Sequence, residues 1–190
     1  ISGELLELYV GPGADDSFAW LPGELSPELG SFCGRYLSGL KEGQTAEVNP
    51  GIAEWFATLD QKLLSGFVIS VDYGAGSAEL YDDPRFDGTL RGYRKHQFVE
   101  DILSEPGAYD LTSTINWNYV QAEGEKYGFA VEELIRLDRF LIQIGLPQEL
   151  ERQFTHALSD VERVQLTTAA REMILPGGMA ESFQVMVQKR

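Results

Sequence analysis

Apolar and polar residues alternate through ELLELYV, residues 4–10, which is the period-two pattern of a half-buried strand. GPGADDS, residues 11–17, reads as a turn. SPELGSFCGRYLSGL predicts a helix with Ser26 as N-cap and Pro27 at its first position. QTAEV, residues 44–48, predicts a short strand. In NPGIAEWFATLDQKLLSG, Asn49 is a good N-cap, Pro50 a good first residue, and Ile52, Trp55, Phe56, Leu59 and Leu63 fall on one helical face, with Gly66 as the stop. FVISVD, residues 67–72, is a continuous apolar run, as expected for a strand covered on both faces. Strand, helix and strand in that order predict a parallel βαβ unit.

Residues 77–116 show little periodicity and predict a long polar and aromatic loop, of the kind that is functional or a lid. WNYVQAEGEKYG follows as a helix capped by Asn116. FAVEELIRLDRFLIQIG predicts a strand to about residue 137 and then a short helix. PQELERQFTHAL and SDVERVQLTTAAREMIL predict helices, the second with Ser159 and Glu162 as a capping box. ESFQVMVQKR alternates and predicts a final strand that joins the sheet antiparallel. The sheet expected from this pattern contains QTAEV, FVISVD and Val131–Leu137 as neighbours.

At 190 residues and 43% hydrophobic content, the chain is long enough to bury a core. No apolar run reaches the length of about 18 residues that a membrane span needs, so membrane insertion is not expected. The formal charge of −15 argues against a nucleic-acid partner, which needs clustered Lys and Arg. Cys33 is the single cysteine, so no intramolecular disulfide and no cysteine-based zinc site is expected. On its helix Cys33 reads as a small buried filler. His96 and His156 stand far apart without a metal-binding spacing, and no metal site is expected. The chain opens at Ile1, which suggests a removed segment or the later part of a longer protein.

Three groups of residues carry candidate chemistry. Asp72, Tyr73, Gly74 and Gly76 follow the FVISVD strand, where open α/β sheets place ligands; a tight turn with a satisfied acid is the competing account. GAG lacks the spacing of a phosphate loop. Arg85, Arg91, Arg94, Lys95 and His96 gather cations within an acidic chain, either to hold a partner's carboxylate or backbone or to pair locally with Asp82, Asp83, Asp87, Glu100 and Asp101. In GAYDLTSTINW, Asp110 and Thr112 are two apart and point the same way on a strand.

GFVISVDYG, GTLRGYRKHQF, PGAYDLTSTINW and LPGGMAESFQVM, in that order, resemble the C-terminal half of the MidA-type (DUF185) SAM-dependent methyltransferases. The likeness runs from about Gln44 onward, which makes 44–190 the family-like core and 1–43 a weakly matched lead segment. It implies an α/β fold, part of a Rossmann-like class I methyltransferase sheet with added helices. S-adenosyl-L-methionine is the implied cofactor. The family's glycine-rich cofactor turn lies in its N-terminal half and has no counterpart in this sequence.

Residue by residue, Asp72, Tyr73 and Gly74 match the family's D-Y-G, Thr89 to Arg91 its T-L-R, His96 its following histidine, and Asp110 and Thr112 its D-[IL]-T. Pro176 and Met179 match its late P-x-x-M. The family often has His and Asp where Thr114 and Asn116 stand. The resemblance implies catalytic roles for Asp72, Tyr73 and Asp110, substrate binding by Arg91, His96 and Thr112, and cofactor binding at Gly74. The implied chemistry is methyl transfer from a sulfonium to a guanidinium nitrogen, which carboxylates assist by clamping the guanidinium. Mitochondrial members assist complex I assembly and methylate an arginine of a subunit. A protein substrate, including a respiratory-complex subunit, is therefore the expected partner, and a homo-oligomer stays open. The expected location is the cytoplasm in bacteria or the mitochondrial matrix in eukaryotes. A methyltransferase-like module that binds a partner without chemistry is the alternative.

Overall fold

The structure, a computed structural model, describes residues 4–37, 39–155 and 159–190; His156 lies outside them. In chain order the elements begin with β1 (Leu6–Pro12), β2 (Phe18–Glu24), α1 (Pro27–Tyr36), α2 (Gly51–Lys62), β3 (Phe67–Asp72), β4 (Gly74–Ala75) and α3 (Ser77–Leu80). There follow β5 (Arg91–Arg94), β6 (Gln97–Val99), β7 (Asp110–Thr112), β8 (Ile115–Asn116) and α4 (Trp117–Lys126). The last are β9 (Ala130–Arg136), α5 (Leu137–Gln143), α6 (Leu146–Thr155), α7 (Asp160–Ile174) and β10 (Gln184–Lys189). The fold is mixed α/β, in two units: Ile1–Trp55 with Ala75–Val120, and Phe56–Gly74 with Gln121–Arg190.

In the first unit β1 and β2 form an antiparallel hairpin, with Leu8 opposite Pro22 and Val10 opposite Trp20. The pattern predicts β1 and assigns nothing to β2, which carries Pro22 and Gly23; a hairpin edge tolerates both. Gly23 lets the Tyr9 ring lie over the strand, since a Cβ there would sit 2.8 Å from Tyr9 Cε2. Helix α1 starts as its cap predicts: Leu29 N donates to Ser26 Oγ at 3.4 Å. It buries Phe32, Cys33 and Leu37 against Leu80, Tyr81 and Tyr119. Phe32 and Tyr119 meet edge to face with ring centres 4.6 Å apart. Burial pushes the Cys33 thiol pKa up, as befits a filler rather than a nucleophile.

QTAEV forms no strand; only Thr45 makes a bridge, parallel to Asp87. The segment instead places Glu47 as an acceptor for the backbone of residues 89 and 90. The region expected to be irregular holds a three-stranded antiparallel sheet in the order β6-β5-β7. Its strands are three or four residues long, too short to carry a visible period. Asn116 caps α4 as expected, accepting from Tyr119 N at 3.2 Å.

In the second unit the order is β3-β10-β9, and β10 runs antiparallel to both neighbours. Among the described residues the predicted parallel βαβ unit is therefore absent: β3 pairs with β10. Expected burial of β3 on both faces also fails, because Phe67, Ile69 and Val71 are 59%, 55% and 46% exposed. The strand is an edge, covered on one face. Phe56 and Phe129 are wholly buried, ring centres 5.5 Å apart, and Val185 and Met186 of β10 are wholly buried too. Of the predicted apolar face of α2, Phe56 alone is fully buried, while Trp55 is exposed.

Gly124 of α4 allows this packing, since a Cβ there would reach Gln188 Nε2 and come within 3.0 Å of the Phe56 ring. Gln188, also fully buried, donates through Nε2 to Phe129 O at 3.4 Å. Arg190 donates through Nη1 to Asp60 O and Leu63 O, each at 2.6 Å, and ties α2 to the end of β10. The strand-to-helix change near residue 137 and the capping box of α7 both appear; Ser159 N donates to the Glu162 carboxylate at 2.9 Å.

Candidate functional site

The strands of the β6-β5-β7 sheet hold four of the residues singled out from sequence, Arg91, Arg94, Asp110 and Thr112. Arg91 lies opposite Thr112, and Tyr93 lies opposite both Asp110 and Phe98. Residues directly opposite in an antiparallel pair share a face, as do residues two apart on a strand. Arg91, Tyr93, Phe98, Asp110 and Thr112 therefore line one face. On it Tyr93 and Phe98 meet with ring centres 6.2 Å apart and planes at 75°. The opposite face carries Gly92, where a Cβ would lie 2.7 Å from Ile102 Cγ2, so the glycine is a packing requirement.

Arg91 and Asp110 are exposed, and among the described residues neither forms an ion pair. Other cations of this stretch do pair locally: Arg85 with Glu79 at 3.0 Å and Arg94 with Glu105 at 2.9 Å. The basic stretch thus divides into surface pairing and open groups. Lys95 and His96 form the two-residue turn between β5 and β6, with φ of +50° and +65°. Both angles belong to a type I′ turn, in which Asn-Gly is usual. His96 is held at this exposed tip by hairpin geometry rather than by a side-chain partner.

Sequence reasoning missed the residue that fixes this sheet. The Glu47 carboxylate accepts from Thr89 N at 2.7 Å, Thr89 Oγ1 at 2.7 Å and Leu90 N at 3.0 Å. Thr89 Oγ1 in turn accepts from Thr114 N at 2.9 Å. Gly88, at φ +82°, must be glycine for this approach, because a Cβ would strike Glu47 Oε1. Thr89 is 3% exposed and anchors the start of β5 rather than facing solvent. Glu47 sits in an ordinary strand-like pattern, 42 residues from its partner, so no local signal marks it.

Asp72, Tyr73 and Gly74 belong to the second unit. Asp72 closes β3 half-buried, and its Oδ1 accepts from Tyr73 N at 2.8 Å. Asp72 pairs in register with Gln184, and Gln184 with Arg136, so the three side chains form a row at one end of the sheet. Arg136 grips Asp138 through two bonds, Nε to Oδ1 at 3.0 Å and Nη2 to Oδ2 at 2.6 Å, and donates to Glu181 at 2.7 Å. Those bonds raise the Arg136 pKa further above its usual range and hold the Asp138 carboxyl below the usual carboxylate range. Gln184 Oε1 is buried without a hydrogen-bond partner among the described residues. Tyr73 stacks on Phe183, ring centres 4.1 Å apart and planes at 31°.

The turn after Gly76 is held by side chains of residues 116 and 118. Ser77, which opens α3 after Gly76, donates its backbone N–H to Asn118 Oδ1 at 2.7 Å. Asn116 and Ser77 also exchange side-chain bonds, so this turn is filled from within the chain. No group of acids, histidines or cysteines that could hold a metal ion occurs among the described residues. No helix among them is long and apolar enough to cross a membrane.

Residues 2–135 match the family described as "Putative S-adenosyl-L-methionine-dependent methyltransferase". The match takes in the segment before residue 44 as well. Among solved structures, the chain is similar to a superfamily member from Burkholderia thailandensis bound to S-adenosyl-homocysteine, at 22% identity and a TM-score of 0.82. The overlap covers 97% of this chain and 47% of that one. A native crystal structure of an uncharacterized protein of that superfamily, from the same organism, gives 23% identity, a TM-score of 0.84, and coverage of 97% and 49%. The chain spans about half the length of the solved structures it matches. A search of curated proteins finds no match.

Proposed function

Because the chain belongs to this S-adenosyl-L-methionine-dependent methyltransferase family, we propose that it is the substrate-side part of a protein methyltransferase acting on an arginine guanidinium. The observation that carries the reading is the open face of the β6-β5-β7 sheet, where Asp110, Thr112 and Arg91 stand beside two aromatic rings. A carboxylate recognises a guanidinium through paired, charge-assisted bonds, and an aromatic ring packs against its plane. Asp110 is the acid for this role. Thr112 offers a hydroxyl beside it, and Arg91 and His96 suit backbone carbonyls of a protein substrate. Asp72 is the second acid and Tyr73, held by Phe183, a wall. S-adenosyl-L-methionine is the cofactor of the family and supplies the methyl group when bound. The residues here do not form a whole site for it, and Gly74 is at most one contact.

In the same reading the fold is the Rossmann-like class I type and the family member is of the MidA kind. A respiratory-complex subunit is the first substrate to try. A second reading, a non-catalytic interaction module, is favoured by one observation: the glycine turn before α3 is occupied by Asn118.

The test separates them. In a complete enzyme carrying this chain, Asp72→Asn, Asp110→Asn and Arg91→Ala should each lower methyl transfer to protein arginine about tenfold or more, equivalent to ~1.4 kcal/mol of barrier. Melting temperature should hold. Transfer close to the unmodified level in all three would leave the interaction module as the better account. Residues 1–190 alone should bind S-adenosyl-L-methionine poorly, and stoichiometric micromolar binding by calorimetry would contradict this assignment of roles.

A further inference from the structure

The first unit contains a groove of about 850 Å³ that shares Phe98 with the face described above and otherwise lies apart from its residues. This is within the size range of about 300–1,000 Å³ typical of ligand sites. Its walls are apolar: Leu8 and Trp20 from the hairpin, Leu37 just after α1, and Leu90, Phe98 and Ile102 from around the β6-β5-β7 sheet. Leu8, Trp20 and Phe98 remain 43%, 44% and 64% exposed, so the walls are open to a partner.

The lining carries six carboxylates and one lysine. Two of the carboxylates are structural. Glu7 accepts from Ser26 N at 3.0 Å, which keeps its carboxyl below the usual range and ionised, and Glu47 anchors residues 89 and 90. Glu4, Glu42, Asp87 and Glu100 are exposed around them. An apolar trough with an acidic lining repels nucleotides and acidic peptides. It suits a chain that offers cations and apolar side chains together. Phe98 also links the groove to the candidate face, because it lines the groove and meets Tyr93 across the strand pair.

We infer that this groove seats a basic, amphipathic segment of the protein substrate, on the far side of Phe98 from Asp110. The inference rests on the reading that the substrate is a protein. It names where residues flanking the modified one are held.

Fluorescence anisotropy on the full chain tests it, with a fluorescein-labelled peptide of repeated Arg-Leu pairs as probe. Repeated Arg-Gly and Glu-Leu peptides are the comparisons. The Arg-Leu peptide should bind at least about tenfold more tightly than either, a difference of ~1.4 kcal/mol, and should weaken as salt is raised. Glu42→Lys with Glu100→Lys should weaken it about tenfold, and Phe98→Ser should weaken it without changing the circular dichroism. Glu132→Lys with Glu151→Lys makes the same change of charge in the second unit and should have at most a small effect. Equal loss in both charge-reversed pairs would mean attraction to the overall negative charge and would overturn the inference. So would equal binding of the Glu-Leu peptide, or unchanged affinity in a folded Phe98→Ser chain. The readout needs no methyl transfer. Binding without transfer would therefore count against the enzymatic reading alone.

Discussion

Replacing Glu47 by alanine removes the acceptor of three hydrogen bonds, from Thr89 N, Thr89 Oγ1 and Leu90 N. Bonds to a charged acceptor contribute about 1.5–3 kcal/mol each. Glu47 is half-buried and Leu90 is exposed, so water can replace the bond at Leu90. Thr89 is 3% exposed, and its two donors have no such replacement. Taking the lower figure for those two bonds gives a loss of about 3 kcal/mol. For a chain of this size about 2–4 °C of melting temperature corresponds to each kcal/mol, so a drop of roughly 6–12 °C is expected. Thermal and urea melts followed by circular dichroism would measure it, with hydrogen exchange at the amides of residues 89 and 90 to localise it. Glu47→Gln keeps one acceptor oxygen but replaces the other by an amide NH2 that faces existing donors, and should lose about half as much or more. A cost below about 0.5 kcal/mol for the alanine variant, the range of ordinary surface changes, would refute this account of the sheet.

Phe56→Ala empties a wholly buried position packed on Phe129 and should cost about 3–5 kcal/mol by urea melts; a cost under about 1 kcal/mol would mean that the second unit collapses around the gap. Gly88→Ala places a Cβ against Glu47 Oε1 at φ +82°, so it should destabilise the first unit by more than 1 kcal/mol or so and expose the residue 89 amide to exchange. Arg136 holds Asp138 below the usual carboxylate range, so the unfolded chain takes up this proton first as pH falls below about 4–5. The stabilisation is complete above that range and is lost as pH falls through the lower folded value; Asp138→Asn should flatten that acid limb in melts at stepped pH.

Long elements with strong local rules were legible in the sequence. Ser26 with Pro27, the Ser159 and Glu162 box, the Asn116 cap and the alternation of β10 each act within a few residues, and the structure contains all four. What the pattern missed depends on distant partners. The apolar run of β3 is the same whether its second face is covered or open. QTAEV has strand-like composition, but its Glu47 is drawn to amides 42 residues on. The sheet that brings Arg91, Asp110 and Thr112 together is built from strands too short to show a period, across turns whose Lys95 and His96 are not usual turn residues. The shared face of Asp110 and Thr112 was legible from their spacing of two on what is now β7, but not its continuation to Arg91, Tyr93 and Phe98, which is a matter of register.

The central place of β10 between β3 and β9 has a consequence in time. The chain emerges in sequence order, and the strand that joins the other two is made last of the three. Residues 73–183 separate β3 from β10, so at roughly 5–20 residues per second β3 waits on the order of 6–22 s for β10, its partner among the described residues. Throughout that interval Phe67, Val68, Ile69 and Val71 lack the β10 ladder that they enter in the fold. Anything that prolongs synthesis between these strands lengthens the period in which a nascent copy can capture another's β10, and slow translation should lower the yield of this protein more than slow refolding of the finished chain would suggest.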